Sequence, residues 1–243
     1  MTLPAEIRLS GLTLGYAGEP VVRDLAGVFA PGEATAVVGP NGSGKTTLIK
    51  ALAGLVRPMA GKITLAGAGR RDIAYLAQDG GVDRDFPITV EDLVALGFER
   101  RLGLFGGVGA AERERLAAAL AAVGLTGLER HTIAALSGGQ FQRALFARVM
   151  VKDAPVILLD EPFAGLDART TAALGEIVRR WAGEGRTVLA ALHDLDLARS
   201  HCGQALVLAR QVVAWGPSAA ALSEANVARA WALAETWPAR EAA

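Results

Sequence analysis

The pattern that most constrains this chain is Gly39-Pro40-Asn41-Gly42-Ser43-Gly44-Lys45-Thr46, followed by Thr47, which fits G-x-x-x-x-G-K-[ST]. Glycines there let the backbone turn so that successive N–H groups point inward, and a helix starting at the lysine aims its positive dipole end at the same spot. Together these features bind triphosphate oxygens. Lys45 is expected to reach the β- and γ-phosphates, and the Thr46 hydroxyl to ligate magnesium. The flanks agree with this reading. Pro31-Gly32-Glu33 makes a turn, Ala34 to Val38 is a continuous apolar run typical of a strand buried on both faces, and Lys45 to Leu55 suits a helix with Gly54 near its C-terminal end.

A second apolar run, Val156 to Leu159, ends in Asp160-Glu161. In a parallel sheet that end borders the phosphate loop, so Asp160 is placed to hold the magnesium shell and Glu161 to orient and deprotonate an attacking water. An acid after a strand is also often the N-cap of a helix, and Pro162 suits such a start. Both readings stand at this level. Leu136-Ser137-Gly138-Gly139-Gln140 likewise reads, by itself, as a helix N-terminus with a capping serine and exposed N–H groups that attract an anion.

Alternation in Ile7 to Leu9 and Leu12 to Leu14 predicts a strand bent at Gly11, with a second near Val21 to Phe29 and short ones around Ile63 to Leu65 and Ile73 to Leu76. From Thr89 to about Leu128 the pattern turns helical, with Ala110 to Val123 rich in helix formers and Gly124 placed to end them. A helix from Ser137 to about Val151, a helix from Thr170 to Trp181, a strand from Thr187 to Leu192 and a short helix from Asp194 continue an alternating series. Strands at Ala205 to Leu208 and Gln211 to Ala214 precede a helical tail.

Lysines plus arginines number 25 against 25 acidic residues, so the chain lacks the positive field that holds nucleic acid by its phosphates. The uncharged stretch Leu116 to Leu128 is 13 residues with two glycines, short of the ~18 of a membrane span. Met1 to Ser10 carries Glu6 and Arg8 without an apolar signal core, which suggests the cytoplasm. The single cysteine, Cys202, fits a reducing compartment. A metal-ligand reading with the adjacent His201 is weak, because there is no CxxC and the other histidines are only His131 and His193.

The segment Leu136 to Gln140 resembles the ABC ATPase signature, and other motifs follow in that family's order along nearly the whole chain. Gln78 resembles the glutamine loop, Gly165-Leu166-Asp167 the D-loop, His193 the switch histidine and Tyr16 the aromatic residue that stacks on adenine. Taken singly, His193 reads as a structural histidine, Gln78 as a loop residue and Tyr16 as a strand aromatic. The resemblance implies an α/β fold: a P-loop NTPase core with a mixed sheet, an antiparallel β subdomain and an inserted α-helical subdomain. It implies a single nucleotide-binding domain over 1–243, with 1–88 and 154–243 as core and β subdomain and about 89–153 as the helical subdomain. It also implies ATP and Mg2+ as cofactors, the magnesium held through Thr46, Gln78 and Asp160, with Glu161, His193, Gln78 and Lys45 catalytic. ATP would be shared with a second copy in a head-to-tail dimer, where Ser137, Gly138, Gly139, Gln140 and Asp167 act in trans.

Further partners implied are integral membrane permease subunits and, indirectly, a substrate-binding protein, on the inner face of the cell membrane. The stretches Asp85 to Val90, with Leu93 and Gly97, and Asp160 to Gly165 resemble the ATPases of zinc and manganese importers. Siderophore or cobalamin importers are the alternative, and the iron–sulphur assembly type of ABC ATPase is the non-transport one. Phe86 and Pro87 lie where the resemblance puts the membrane partner, whereas Leu93 and Val94 read as core.

Overall fold

The computed structural model describes residues 4–78, 80–99 and 109–237. The start of the N-terminal segment and residues 100–108 of the helical stretch lie outside the described residues. Nine strands form two sheets among them. Strands β1 (Glu6–Tyr16), β2 (Glu19–Phe29) and β4 (Ala60–Ala66) make an antiparallel sheet in the order β2-β1-β4. The second sheet runs β5 (Ile73–Leu76), β6 (Val156–Asp160), β7 (Thr187–Ala191), β3 (Ala34–Val38), β8 (Gln204–Leu208) and β9 (Val212–Pro217). All its pairings are parallel except that between β8 and β9.

Every residue of β3, β6 and β7 is buried, as their unbroken apolar runs require. Successive side chains leave a strand on opposite faces, and this alternation divides the interior in two. Ile157, Leu159, Val188, Ala190, Ala205 and Val207 join one core. Val156, Leu158, Leu189, Ala191, Leu206 and Leu208 join the other. The first core packs against helices α2 (Val90–Ala95), α3 (Ala110–Ala122), α4 (Gly138–Lys152) and α5 (Ala168–Gly183). The second packs against α1 (Lys45–Leu52) and the inner face of the antiparallel sheet, where Ile7, Leu12, Leu14, Leu25 and Phe29 are buried.

Three elements differ from their sequence expectation. The helix from Lys45 ends at Leu52 rather than Leu55, because the chain turns at Gly54 with φ 83° while Leu55 N–H donates back to Lys50 O at 2.8 Å. The strand around Ile63 is longer than expected and joins the antiparallel sheet, whereas the neighbouring Ile73–Leu76 enters the other. The last strand extends to Pro217. The bend at Gly11 is present, with φ 54° and a register shift between Leu9 and Leu12. Helices α6 (Leu195–His201), α7 (Ser218–Ala221) and α8 (Glu224–Glu235) complete the chain. No helix among the described residues is long and apolar enough to cross a membrane.

Candidate functional site: a phosphate cradle at the carboxyl ends of four strands

Four parallel neighbours, β5, β6, β7 and β3, end side by side, with Leu76 opposite Leu159, Asp160 opposite Ala191 and Val37 opposite Ala191. Each strand therefore delivers its next residues to the same edge: Gln78, Asp160-Glu161, His193 and the glycine loop. Open α/β sheets bind ligands at such an edge. A cleft of about 420 Å³ lies there, lined by Asn41, Gly42, Ser43, Gly44, Lys45, Thr46, Thr47, Gln78, Glu161, His193 and Val21. Gln78, Glu161 and His193, each with an ordinary structural alternative, thus meet around one loop.

The loop is shaped for an anion. Gly44, the N-cap of α1, has φ 102° and no side-chain cap, so the first N–H groups of the helix are left for a ligand. A β-carbon at Gly44 would stand 2.3 Å from Val22 of β2, and only glycine fits. Lys45 is buried and donates from Nζ to the carbonyls of Gly39 at 2.8 Å and Pro40 at 3.1 Å. Burial lowers its pKa, and the charges of Glu161 and Asp160 work in the opposite direction. Ser43 Oγ is buried without a hydrogen-bond partner among the described residues.

Asp160 is fully buried at the end of β6. Its Oδ1 accepts from Thr46 Oγ1 at 3.1 Å, while Oδ2 has no hydrogen-bond partner among the described residues. Burial raises its pKa, the Thr46 hydrogen bond lowers it, and the nearby Glu161 raises it further. A buried carboxylate with one orphaned oxygen beside a hydroxyl fits a hard divalent cation, whose ligands are oxygens. Glu161 follows with φ 52°, held by its N–H to Ala191 O at 3.1 Å. A left-handed non-glycine residue is strained by ~1–3 kcal/mol, a signature of functional sites that the sequence does not reveal. Glu161 Oε1 lies 2.5 Å from His193 Nε2. An ionised carboxylate only accepts, so with Glu161 in that form the imidazole N–H donates.

The helix-cap reading of Asp160-Glu161 fails: the next helix begins only at Ala168, capped by Asp167. Around Cys202 no group of three or more His, Cys, Asp or Glu among the described residues is placed to hold an ion, and burial pushes its thiol up to about 12.

The sequence profile described as ABC transporter matches residues 22–164. The zinc transport system ATP-binding protein TroB of Treponema pallidum is 37% identical over 229 residues, covering 93% of this chain and 86% of that protein. The manganese transport system ATP-binding protein MntB of Bacillus subtilis is 37% identical over 216 residues, covering 87% and 86%. The chain belongs to the ABC transporter family. It is an ATP-hydrolysing subunit of that family, and it shares its fold with a solved ABC transporter of proposed metal-chelate type in an inward-facing conformation. That superposition has TM-score 0.82 at 26% identity and covers 94% of this chain and 89% of the other.

The remaining residues that the ABC resemblance singled out do not line the cleft. Tyr16 is 46% exposed at the end of β1. Ser137 caps α4: its Oγ accepts from Gln140 N–H at 3.2 Å, and Gln140 Oε1 accepts from Ser137 N–H at 2.8 Å. Asp167 Oδ1 accepts from Thr170 N–H at 2.9 Å, which holds its pKa low. A β-carbon at Gly139 would lie 3.5 Å from both Gly165 O and Leu166, so the signature and the D-loop form one surface. A β-carbon at Gly138 would meet nothing within 4 Å.

Proposed function

We propose that this chain powers an importer of a divalent metal ion, zinc or manganese, from the inner face of the cell membrane, and does so as a head-to-tail pair. The observation that carries the reading is the Glu161–His193 contact at 2.5 Å on the wall of a cleft whose floor is the phosphate loop. The signature surface lies outside that cleft, so one chain supplies only half of the surroundings that a γ-phosphate needs. A second copy would supply Ser137 and the Gly138 and Gly139 amides against the transferring phosphoryl group, with Gln140 and Asp167 on the same face. Tyr16 offers an exposed aromatic face for the adenine. The metal as cargo rests on what the relatives are named for transporting.

In the hydrolytic step Lys45, the loop amides of Gly39, Asn41, Gly42, Gly44, Thr46 and Thr47 and the hydroxyl of Ser43 bind the phosphates, while the Pro40 carbonyl accepts from Lys45 Nζ and from the Ser43 N–H. His193 donates to one oxygen of Glu161 and fixes the carboxylate, leaving the other oxygen to accept a proton from water. Thr46, Asp160 and Gln78 are the residues that would hold magnesium, which when bound neutralises charge on the β- and γ-oxygens.

The chain is proposed as one nucleotide-binding domain with 89–153 as its helical part. Between the two parts runs a groove of about 440 Å³ with exposed Leu55 and Leu96 on its rim and Arg70, Tyr75, Arg148 and Lys152 in its walls. Phe86 is 56% exposed whereas Leu93 and Val94 are buried, which suits Phe86 as an anchor for a permease segment. The loop from Gln78 to Phe86 is bound to the signature helix. Arg148 donates to Gly80 O at 3.3 Å, and Arg84 donates to Leu136 O and stacks 5.0 Å over Phe141. Movement at Gln78 therefore has a physical route to both the docking face and the signature.

Glu161→Gln keeps size but removes proton acceptance. It should still bind MgATP while turnover falls by ~10²–10⁴-fold, and cells carrying it should lose uptake of labelled zinc or manganese. Parental ATPase activity in that variant would remove Glu161 as the base, and unchanged metal uptake would remove the cargo assignment.

A further inference from the structure

The phosphate loop has a neighbour that its motif does not announce. Beyond α8 the chain brings Trp237 against the loop, where the β-carbon of any residue replacing Gly42 would stand 3.8 Å from the indole ring. The same ring carries the Arg210 guanidinium 4.4 Å from its centroid. Arg210 occupies the turn between β8 and β9 with φ 58°, and its backbone N–H donates to Ser43 O at 3.0 Å. Its carbonyl accepts from Arg23 N–H of β2 at 2.9 Å. The indole thus faces the loop across the space that a β-carbon at Gly42 would enter, and it stacks on the residue that tethers the loop at Ser43.

Glycine-rich backbone loses the most freedom when it is ordered, and a ligand that must order it binds more weakly. A brace that holds residues 42 and 43 before nucleotide arrives removes part of that penalty without touching the phosphates. We propose that Trp237 is a positioning residue for ATP binding: through Gly42 and Arg210 it holds the phosphate loop in its binding conformation. The proposal rests on the assignment of this loop as the triphosphate cradle. It also makes the indole a reporter, since its ring sits on backbone whose surroundings change when phosphate fills the loop.

The experiment uses the full chain and MgATP. Trp237→Ala should raise the dissociation constant from calorimetry, and the KM, by about three- to tenfold, the range of one desolvated cation–π contact with its packing. Its kcat at saturating MgATP should stay within about twofold, because the groups that do chemistry are intact. Trp237→Phe should recover most of the affinity, and Trp231→Ala should match the parent. The tryptophan emission change on adding MgATP should persist in Trp231→Phe and vanish in Trp237→Phe. Affinity within twofold of the parent in Trp237→Ala, a fall in kcat at unchanged KM, or a full emission change in Trp237→Phe would each overturn the proposal. Should Trp237→Ala fail to fold, the phenylalanine variant decides by its emission. Lys45→Ala separates the two readings: if it binds MgATP normally, the cradle assignment fails, and if only Lys45→Ala loses affinity, Trp237 alone is wrong.

Discussion

Asp160 carries its carboxyl fully buried at the end of β6. Burial raises its pKa above that of the unfolded chain, so the folded apo protein binds this proton more tightly than the unfolded one. The resulting stabilisation is complete below the ordinary aspartate range near ~4 and is lost as pH rises through the raised folded value. Above that value the ionised carboxylate subtracts from stability. Asp160→Asn removes that charge and is expected to raise the melting temperature of the apo chain at pH 7 relative to its value at pH 4. The same variant should lose most of the extra melting temperature that MgATP, compared with ATP plus a chelator, gives the parent. Calorimetric melting at the two pH values and with each ligand checks both signs. The Asp-Glu pair itself was visible in the sequence. The left-handed backbone of Glu161 and its contact with His193 were not, because nothing local links residues on different strands.

The signature helix Gly138–Lys152 works at both ends of the argument. Its first turn is capped by Ser137, and its buried flank of Phe141, Ala144, Leu145 and Phe146 enters the core beneath the sheet. Phe146 is fully buried and stacks on Trp181 of the Ala168–Gly183 helix, with centroids 5.2 Å apart and planes 12° apart. Gln142 donates to Pro162 O at 3.0 Å, tying the helix to the residue after Glu161. Phe146→Ala is therefore expected to lower unfolding free energy by ~3–5 kcal/mol, as for other buried aromatic truncations. Denaturant titration at unchanged m-value measures it. The existence of this helix and its start at Ser137 followed from the cap and the helix formers. That it packs against both α5 and the Glu161 loop depends on partners remote in sequence.

At the scale of the molecule, the proposed pair makes each site from two chains. Ser137→Arg damages the signature half of a site and Lys45→Ala damages the loop half, so either variant alone damages both sites of a symmetric pair. Equimolar mixing should restore hydrolysis toward about a quarter of the parental rate, since half the pairs are mixed and each carries one intact site. Activity equal to the sum of the two separate variants would show that one chain suffices. The proposed permease face follows the same logic of incompleteness: Leu55 and Leu96 are exposed apolar side chains on a groove, and Phe86 is an exposed aromatic outside the core.

What the sequence determined by itself is local. Unbroken apolar runs fix β3, β6 and β7 as buried strands, and a glycine pattern after such a run dictates a loop that only an anion completes. The order of these motifs, with Ser137 to Gln140, carries the family. Tertiary structure decided which strands are neighbours. It sent Ala60–Ala66, with its weakly patterned exposure, to the antiparallel sheet and Ile73–Leu76 to the core. It left Asp160 Oδ2 without a hydrogen-bond partner among the described residues, and it brought Trp237 beside Gly42. Those outcomes depend on which surfaces pack together, and packing joins residues that no local pattern relates.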